Sequence, residues 1–313
     1  MLADTAEKIK RMEIRGAGRI ARAAVQALDD HSASLGTPDL QDYLALMNEA
    51  AGLLLETRPT AVSLPNAIRS VMAAFREQYP GVEQAKSAFR ERCRAFITAS
   101  EQAVQRIGEI GARHIRNNDT LLTHCNSEAA LACILEAKRQ GKEISVFATE
   151  VRPRNQGHLT IRTLDKAGIP TSFIVDSAAR YFMDEVDLVV VGADAVSVNG
   201  AVVNKIGTSQ IALAAREART RVMVAAETYK FAPRTILGEY IEIEERDPGE
   251  VLSPAIFSQL PHVRVRNPAF DVTPADYVDL IVTEAGAIPP QMAYIIIRDV
   301  LGWDIGEYSG GFG

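Results

Sequence analysis

The chain has 313 residues, 47% of them hydrophobic and 24% charged, a composition that supports a large buried core and excludes a disordered or low-complexity chain. That length suits two packed domains rather than one. A formal net charge of −6 argues against a nucleic-acid binder, which needs basic stripes, and no apolar run approaches the roughly 18 residues of a membrane span.

The opening stretch MLADTAEKIKRMEIRGAGR carries charge where an export signal needs an apolar segment, so a cytoplasmic protein is expected. From Ala3 to about His114 apolar residues recur at three- and four-residue steps, as in Ile20, Ala24, Leu28 and in Leu40, Leu44, Met47, Ala51, which predicts a helical domain over residues 1–117. Gly16, Gly18 and Arg58-Pro59-Thr60 interrupt the pattern and mark loops or helix starts. After Asn118 short apolar runs alternate with helical stretches: TLLTHC, ISVFAT, TSFIV, DLVVVGAD, RVMVAA and, after a longer interval, YVDLIVT. Such runs predict parallel strands of a Rossmann-like, doubly wound sheet over residues 118–313, making the chain an α/β protein with a helical N-terminal domain. Ligands in such sheets bind beyond the carboxyl ends of the strands.

Cys125 follows the first strand and stands just ahead of the apolar helical pattern of Ala129 to Ala137. A helix start presents unpaired amides and a partial positive charge, which predicts a thiol pKa below its free value of about 8.5 and a usable thiolate. The amides of Ser127, Glu128 and Ala129 could grip a phosphate. The plainer alternative is that Cys125, like Cys93 and Cys133, packs as a small apolar residue. Three cysteines, an odd number, point to reduced thiols, and neither they nor the histidines show metal-ligand spacing, so no metal and no cofactor is expected.

Asp194 follows the fourth strand, where closure over it would raise its pKa and let it hold a proton, although an Asp in that place commonly caps a turn. The segment Asn199 to Thr208, with Asn204 and Lys205, reads as a phosphate-binding loop. Arg15 before Gly16-Ala17-Gly18, Arg58 before Pro59, Arg152 and Arg154 after the second strand and Lys230 after the fifth are further basic residues at loop positions. Each taken singly is most simply a solvated surface charge. Arg15-Gly16-Ala17-Gly18 lets backbone amides approach an anion but is not a dinucleotide fingerprint, since it follows no strand.

These residues fall within RGAGRIARAA (15 to 24), TRPTAV (57 to 62), THCNSEAAL (123 to 131), ATEVRPRNQG (148 to 157), VDSAARYFM (175 to 183), VGADAVSVNGAVVNKIGTSQIAL (191 to 213) and AAETYKF (225 to 231). In that order they resemble the sugar 1-phosphate aldose–ketose isomerases related to the regulatory subunits of translation initiation factor 2B. Among its branches, RGAGRIA, GADA and NGAVVNKIGT resemble the archaeal ribose-1,5-bisphosphate isomerases more than the methylthioribose-1-phosphate isomerases, and the paired Cys125 and Asp194 set the chain apart from the non-catalytic initiation-factor subunits. The resemblance implies a catalytic base at Cys125, an acid at Asp194, and a sugar bisphosphate held by Arg15, Gly16, Ala17, Gly18, Arg58, Ser127, Glu128, Ala129, Asn204, Lys205 and Lys230. It further implies a nucleotide-salvage setting in which AMP is a candidate activator, and a homo-oligomer, dimer or hexamer, joined through the carboxyl-terminal domain, where the run Met292 to Val300 could supply an apolar patch.

Overall fold

The computed structural model describes residues 2–303. The chain forms two compact units, Met1–Ala103 and Val104–Gly313. The first is helical: α1 (Leu2–Lys10), α2 (Ala17–Ser34), α3 (Leu40–Leu55), α4 (Ser63–Met72) and the start of α5 (Val82–Ala112). Its helices form where the three- and four-residue apolar pattern runs, burying Ile20, Ala24 and Leu28 of α2 and Met47, Ala51 and Leu54 of α3. Asp39 caps α3, its carboxylate accepting the Asp42 amide at 2.9 Å. The border expected at 117/118 marks the onset of strands, whereas compactness divides the chain earlier, within α5. The reason is local: Ile107 and Ala112, near the end of α5, belong to the core of the second unit.

The second unit is built on a seven-stranded sheet. In chain order its elements are β1 (Thr120–Thr123), α6 (Glu128–Arg139), β2 (Ser145–Thr149), α7 (Gly157–Lys166), β3 (Thr171–Ile174), α8 (Ala179–Phe182), β4 (Leu188–Gly192), β5 (Ala195–Val196), β6 (Val202–Lys205), α9 (Thr208–Ala218), β7 (Arg221–Ala225), β8 (Phe270–Thr273), β9 (Leu280–Thr283) and β10 (Gly286–Ile288). The order is β10-β9-β7-β4-β1-β2-β3, parallel except for the β9–β10 pair. Successive side chains alternate between two cores: Leu188 and Val190 of β4 pack with Ile134 of α6 on one face, Val189 and Val191 with Ile211 of α9 on the other. Burial on both faces is why these strands read as unbroken apolar runs.

The sequence pattern did not reveal a second, three-stranded antiparallel sheet, β5-β6-β8. It places Asn204 and Lys205 on strand β6, each paired across to β8: Asn204 with Asp271 and Lys205 with Phe270. A two-residue strand and a partner more than sixty positions away carry no local signal, because pairing is a tertiary event. In the run Met292 to Val300, Ala293, Ile296 and Ile297 are buried while Met292, Ile295 and Val300 are exposed.

Candidate functional site

The carboxyl ends of β1, β2, β4 and β7 place the chemistry. Cys125 lies between β1 and α6 with φ +71°, a left-handed conformation that a non-glycine residue adopts at a cost. Buried Thr160 of α7 holds it there, donating its hydroxyl to the Cys125 carbonyl at 2.8 Å. Two residues on, Ser127 caps α6, accepting the Ala130 amide at 3.3 Å. Gly192, the last residue of β4, leaves room for that cap: a Cβ there would lie 2.3 Å from the Ser127 hydroxyl oxygen.

The electrostatics reverse one expectation. Burial, rather than the helix start, dominates at Cys125 and pushes its thiol up to about 11; Lys205 pulls it back and the Asp194 carboxylate raises it further. The resting group at neutral pH is therefore the thiol. A partial charge at a helix end falls off within one turn, and α6 begins three residues after the sulfur. Asp194 lies between β4 and β5, its amide bonded to Val203 O at 2.8 Å. Its carboxylate acts on Cys125, on Lys205 and on Lys230, so four of the residues expected at a site do converge.

Lys205 is 6% exposed. Its ammonium donates to Ala269 O at 3.0 Å and sits 4.7 Å from the centre of the Phe270 ring. Burial and then the neighbouring Arg246 charge hold its pKa below the usual lysine value. Lys230 is equally buried but paired with Glu227 at 2.7 Å. Burial opposes its charge, and the Glu227 carboxylate outweighs burial and holds its pKa up. Tyr229 donates to the other Glu227 oxygen at 3.1 Å, orienting the pair. Asn204 is spent on the protein itself, donating to Thr208 Oγ1 at 3.0 Å.

Arg15, Gly16, Ala17, Gly18 and Arg58 belong to the first unit. There Arg15 Nε donates to Met12 O at 2.5 Å and Arg58 Nη1 to Met12 Sδ at 2.9 Å, so two arginines 43 positions apart meet at one residue beside the start of α2. Gly16 caps that helix at φ +88° and brings no side-chain bond to it. Of the two arginines after β2, Arg154 is tied to Glu250, its Nε donating at 2.8 Å. The exposed Arg152 gives its amide, with that of Val151, to the Asp176 carboxylate at 2.7 and 2.8 Å.

Several residues of the site were not singled out from the sequence. His124, 1% exposed, donates from Nε2 to Ile206 O at 2.8 Å and, with its tautomer thereby set, accepts the Thr149 hydroxyl at Nδ1 at 2.6 Å. Burial keeps its pKa low, with Asp176, 3.9 Å away, pulling the other way. The ring ties the ends of β1 and β2 to the turn after β6. Asp271 of β8 accepts the amides of Gly207 at 2.7 Å and Ser209 at 3.1 Å at the start of α9, and burial pushes it up to about 6. Arg246, from the irregular segment before β8, acts on both Cys125 and Lys205.

The profile of the initiation factor 2 subunit family matches residues 13–290. The chain is 53% identical to the ribose 1,5-bisphosphate isomerase of Methanocaldococcus jannaschii, over 97% of this chain and 96% of that protein. It is 37% identical to the methylthioribose-1-phosphate isomerase of Acetivibrio thermocellus, over 92% and 88%. Among solved structures, a Pyrococcus horikoshii OT3 translation initiation factor eIF-2B superposes with a TM-score of 0.79 at 32% identity, covering 92% of this chain and 97% of that one.

Proposed function

The chain belongs to the initiation factor 2 subunit family, and within it we propose that this protein is an isomerase converting ribose 1,5-bisphosphate to ribulose 1,5-bisphosphate. The observation that carries the reading is the near-full-length similarity to the Methanocaldococcus jannaschii enzyme of that name, well above the similarity to the methylthioribose-1-phosphate isomerase. A half-buried thiol and carboxylate acting on one another among lysines supports it.

The substrate carries a phosphate on C1, so it cannot open to a free aldehyde, and ring opening needs an acid. In our reading Cys125 and Asp194 share one proton. With the proton on Asp194 and a thiolate at Cys125 beside the Lys205 ammonium, Asp194 protonates the ring oxygen as the C1–O bond breaks and Cys125 takes the C2 proton. The C2–H electron pair becomes the double bond of an enol phosphate. The thiol then returns the proton to C1 while the C2 hydroxyl gives its proton to Asp194, leaving the ketose bisphosphate and restoring the pair. The thiol's high pKa also favours the competing route, a hydride shift from C2 to C1 with Cys125 only shaping the local charge. Turnover in deuterated water separates the two, since deuterium at C1 of the product supports proton transfer.

Up to about four negative charges arrive with the two phosphates. We assign one phosphate to Lys205, Lys230 and the amides of Ser127 to Ala129, with Asn204 supporting through Thr208; within the first unit Arg15 to Gly18 with Arg58 form a candidate anion site of their own. The same reading includes a cytoplasmic homo-oligomer, dimer or hexamer, in AMP salvage with AMP as candidate activator. Light scattering and assays with added AMP test those parts.

The deciding experiment is turnover of ribose 1,5-bisphosphate, with methylthioribose 1-phosphate in parallel, by wild type and Cys125→Ser. Turnover of the bisphosphate alone, reduced about 10²–10⁴-fold in the variant, is expected for loss of an acid–base group. Turnover of neither compound would overturn the reading in favour of a regulatory subunit.

A further inference from the structure

We propose that Arg246 completes, with Lys205, a seat for one phosphate of the substrate; the inference rests on the isomerase reading for the identity of the ligand and on the structure for the seat. Arg246 lies outside every sequence motif and outside the residues assigned above. Its backbone N–H donates to Asn267 O at 2.9 Å, and Asn267 is itself tied down, its side-chain Nδ2 donating to Asp247 O at 2.9 Å and its backbone N–H to Glu245 Oε2 at 3.0 Å. The side chain is 9% exposed, with Nε 3.3 Å from Glu244 Oε1 and the guanidinium 5.7 Å from the centre of the Phe270 ring.

That ring is the one Lys205 also covers. Phe270 therefore carries two buried cations, whose mutual repulsion contributes to the low pKa of Lys205. Arginine has five N–H donors and lysine three. Among the described residues, Arg246 uses Nε alone on a side-chain partner and Lys205 donates one bond, to Ala269 O. Of the surrounding carboxylates, Glu244 faces Arg246 and acts on Lys205, and Asp194 acts on Lys205, while Glu250 is bonded to Arg154 and Asn267 and Asp271 to the amides of Gly207 and Ser209. Two cations held side by side with N–H groups to spare suit a doubly charged, oxygen-rich ligand that the guanidinium edge can bind in a bidentate manner. Both charges also act on the Cys125 sulfur, which puts the seat beside the reacting group.

The test uses the full-length protein and inorganic phosphate as probe. Phosphate should slow alkylation of Cys125 by iodoacetamide in wild type. In Arg246→Gln the phosphate concentration giving half protection, and KM for ribose 1,5-bisphosphate, should each rise about tenfold or more, and KM should change more than kcat. Arg246→Lys, which keeps the charge and the stem over Phe270 but loses the fork, should fall between, so that a folding defect in the Gln variant alone does not decide the matter. No protection in wild type, or protection and KM within about twofold of wild type in both variants, would overturn the seat. Protection that depends on Arg246 in a wild-type protein that does not turn over ribose 1,5-bisphosphate would keep the seat and sink the isomerase reading instead.

Discussion

Two strand-to-helix junctions meet at the site, β1 into α6 and β6 into α9, joined by the His124 bond to Ile206 O, and they are built differently. At α9 the first amides are taken by Asp271, a carboxylate reaching in from a strand far along the chain, while Gly207 provides the left-handed turn at φ +103°. The positive end of that helix is answered from within, and the cation offered at this junction is the Lys205 side chain. At α6 a short hydroxyl, Ser127, takes the Ala130 amide, and a thiol stands in a strained turn ahead of it. Position after a strand is thus not what makes a helix start into a ligand site. What its amides already hold decides.

The largest effect should come from closing the space at the α6 junction. Gly192→Ala puts a Cβ 2.3 Å from the Ser127 hydroxyl and 2.5 Å from its Cβ, and the forced shift should cost about 1–3 kcal/mol. Thermal unfolding should show a Tm lower by several degrees, with recovery in the double variant Gly192→Ala, Ser127→Gly; a wild-type Tm in the single variant would refute the close approach. Asp271→Asn addresses the other junction. It should cost about 0.5–2 kcal/mol through the weakened cap, measured by urea unfolding at low pH. Because Asp271 sits at about 6 when folded, its stabilising contribution is full below about pH 4 and is lost as the pH rises through 6, where the unfolded chain has already released the proton. Asn has no such loss, so the deficit of the variant should shrink between pH 4 and pH 7; an equal deficit at both would contradict the buried carboxyl. The smallest effect concerns Cys125 without ligand. Its alkylation rate should keep rising towards about pH 11, whereas a plateau near pH 8.5 would show a thiol governed by the helix start.

How much of this could be read in advance follows from the range of each interaction. The strands β1, β2, β4, β7 and β9 were legible because burial on both faces writes an unbroken apolar run into consecutive residues, and β3, half exposed at the sheet edge, from the run TSFIV alone. The helices of the first unit were legible from periodicity in Ile20, Ala24 and Leu28. Cys125, Asp194, Lys205 and Lys230 stand at strand ends, and a topological rule was enough to single them out. Arg246 and Asp271 were not legible, since each acts through partners distant in sequence and sits in no pattern of its own, and His124 and Glu227, although inside quoted motifs, gave no sign of their roles because burial by the fold sets them.

The sequence by itself determined the α/β architecture, the order of the parallel strands along the chain and the position of a thiol and a carboxylate at their carboxyl ends, because these are consequences of local patterning and chain direction. Only the tertiary structure decided the protonation state of that thiol, the small sheet that carries Lys205, and the company of Arg246. Charge in a protein depends on what surrounds a group in space, and burial at Cys125, whose carbonyl is held by Thr160 of α7, outweighs the helix end that its neighbours in sequence suggested.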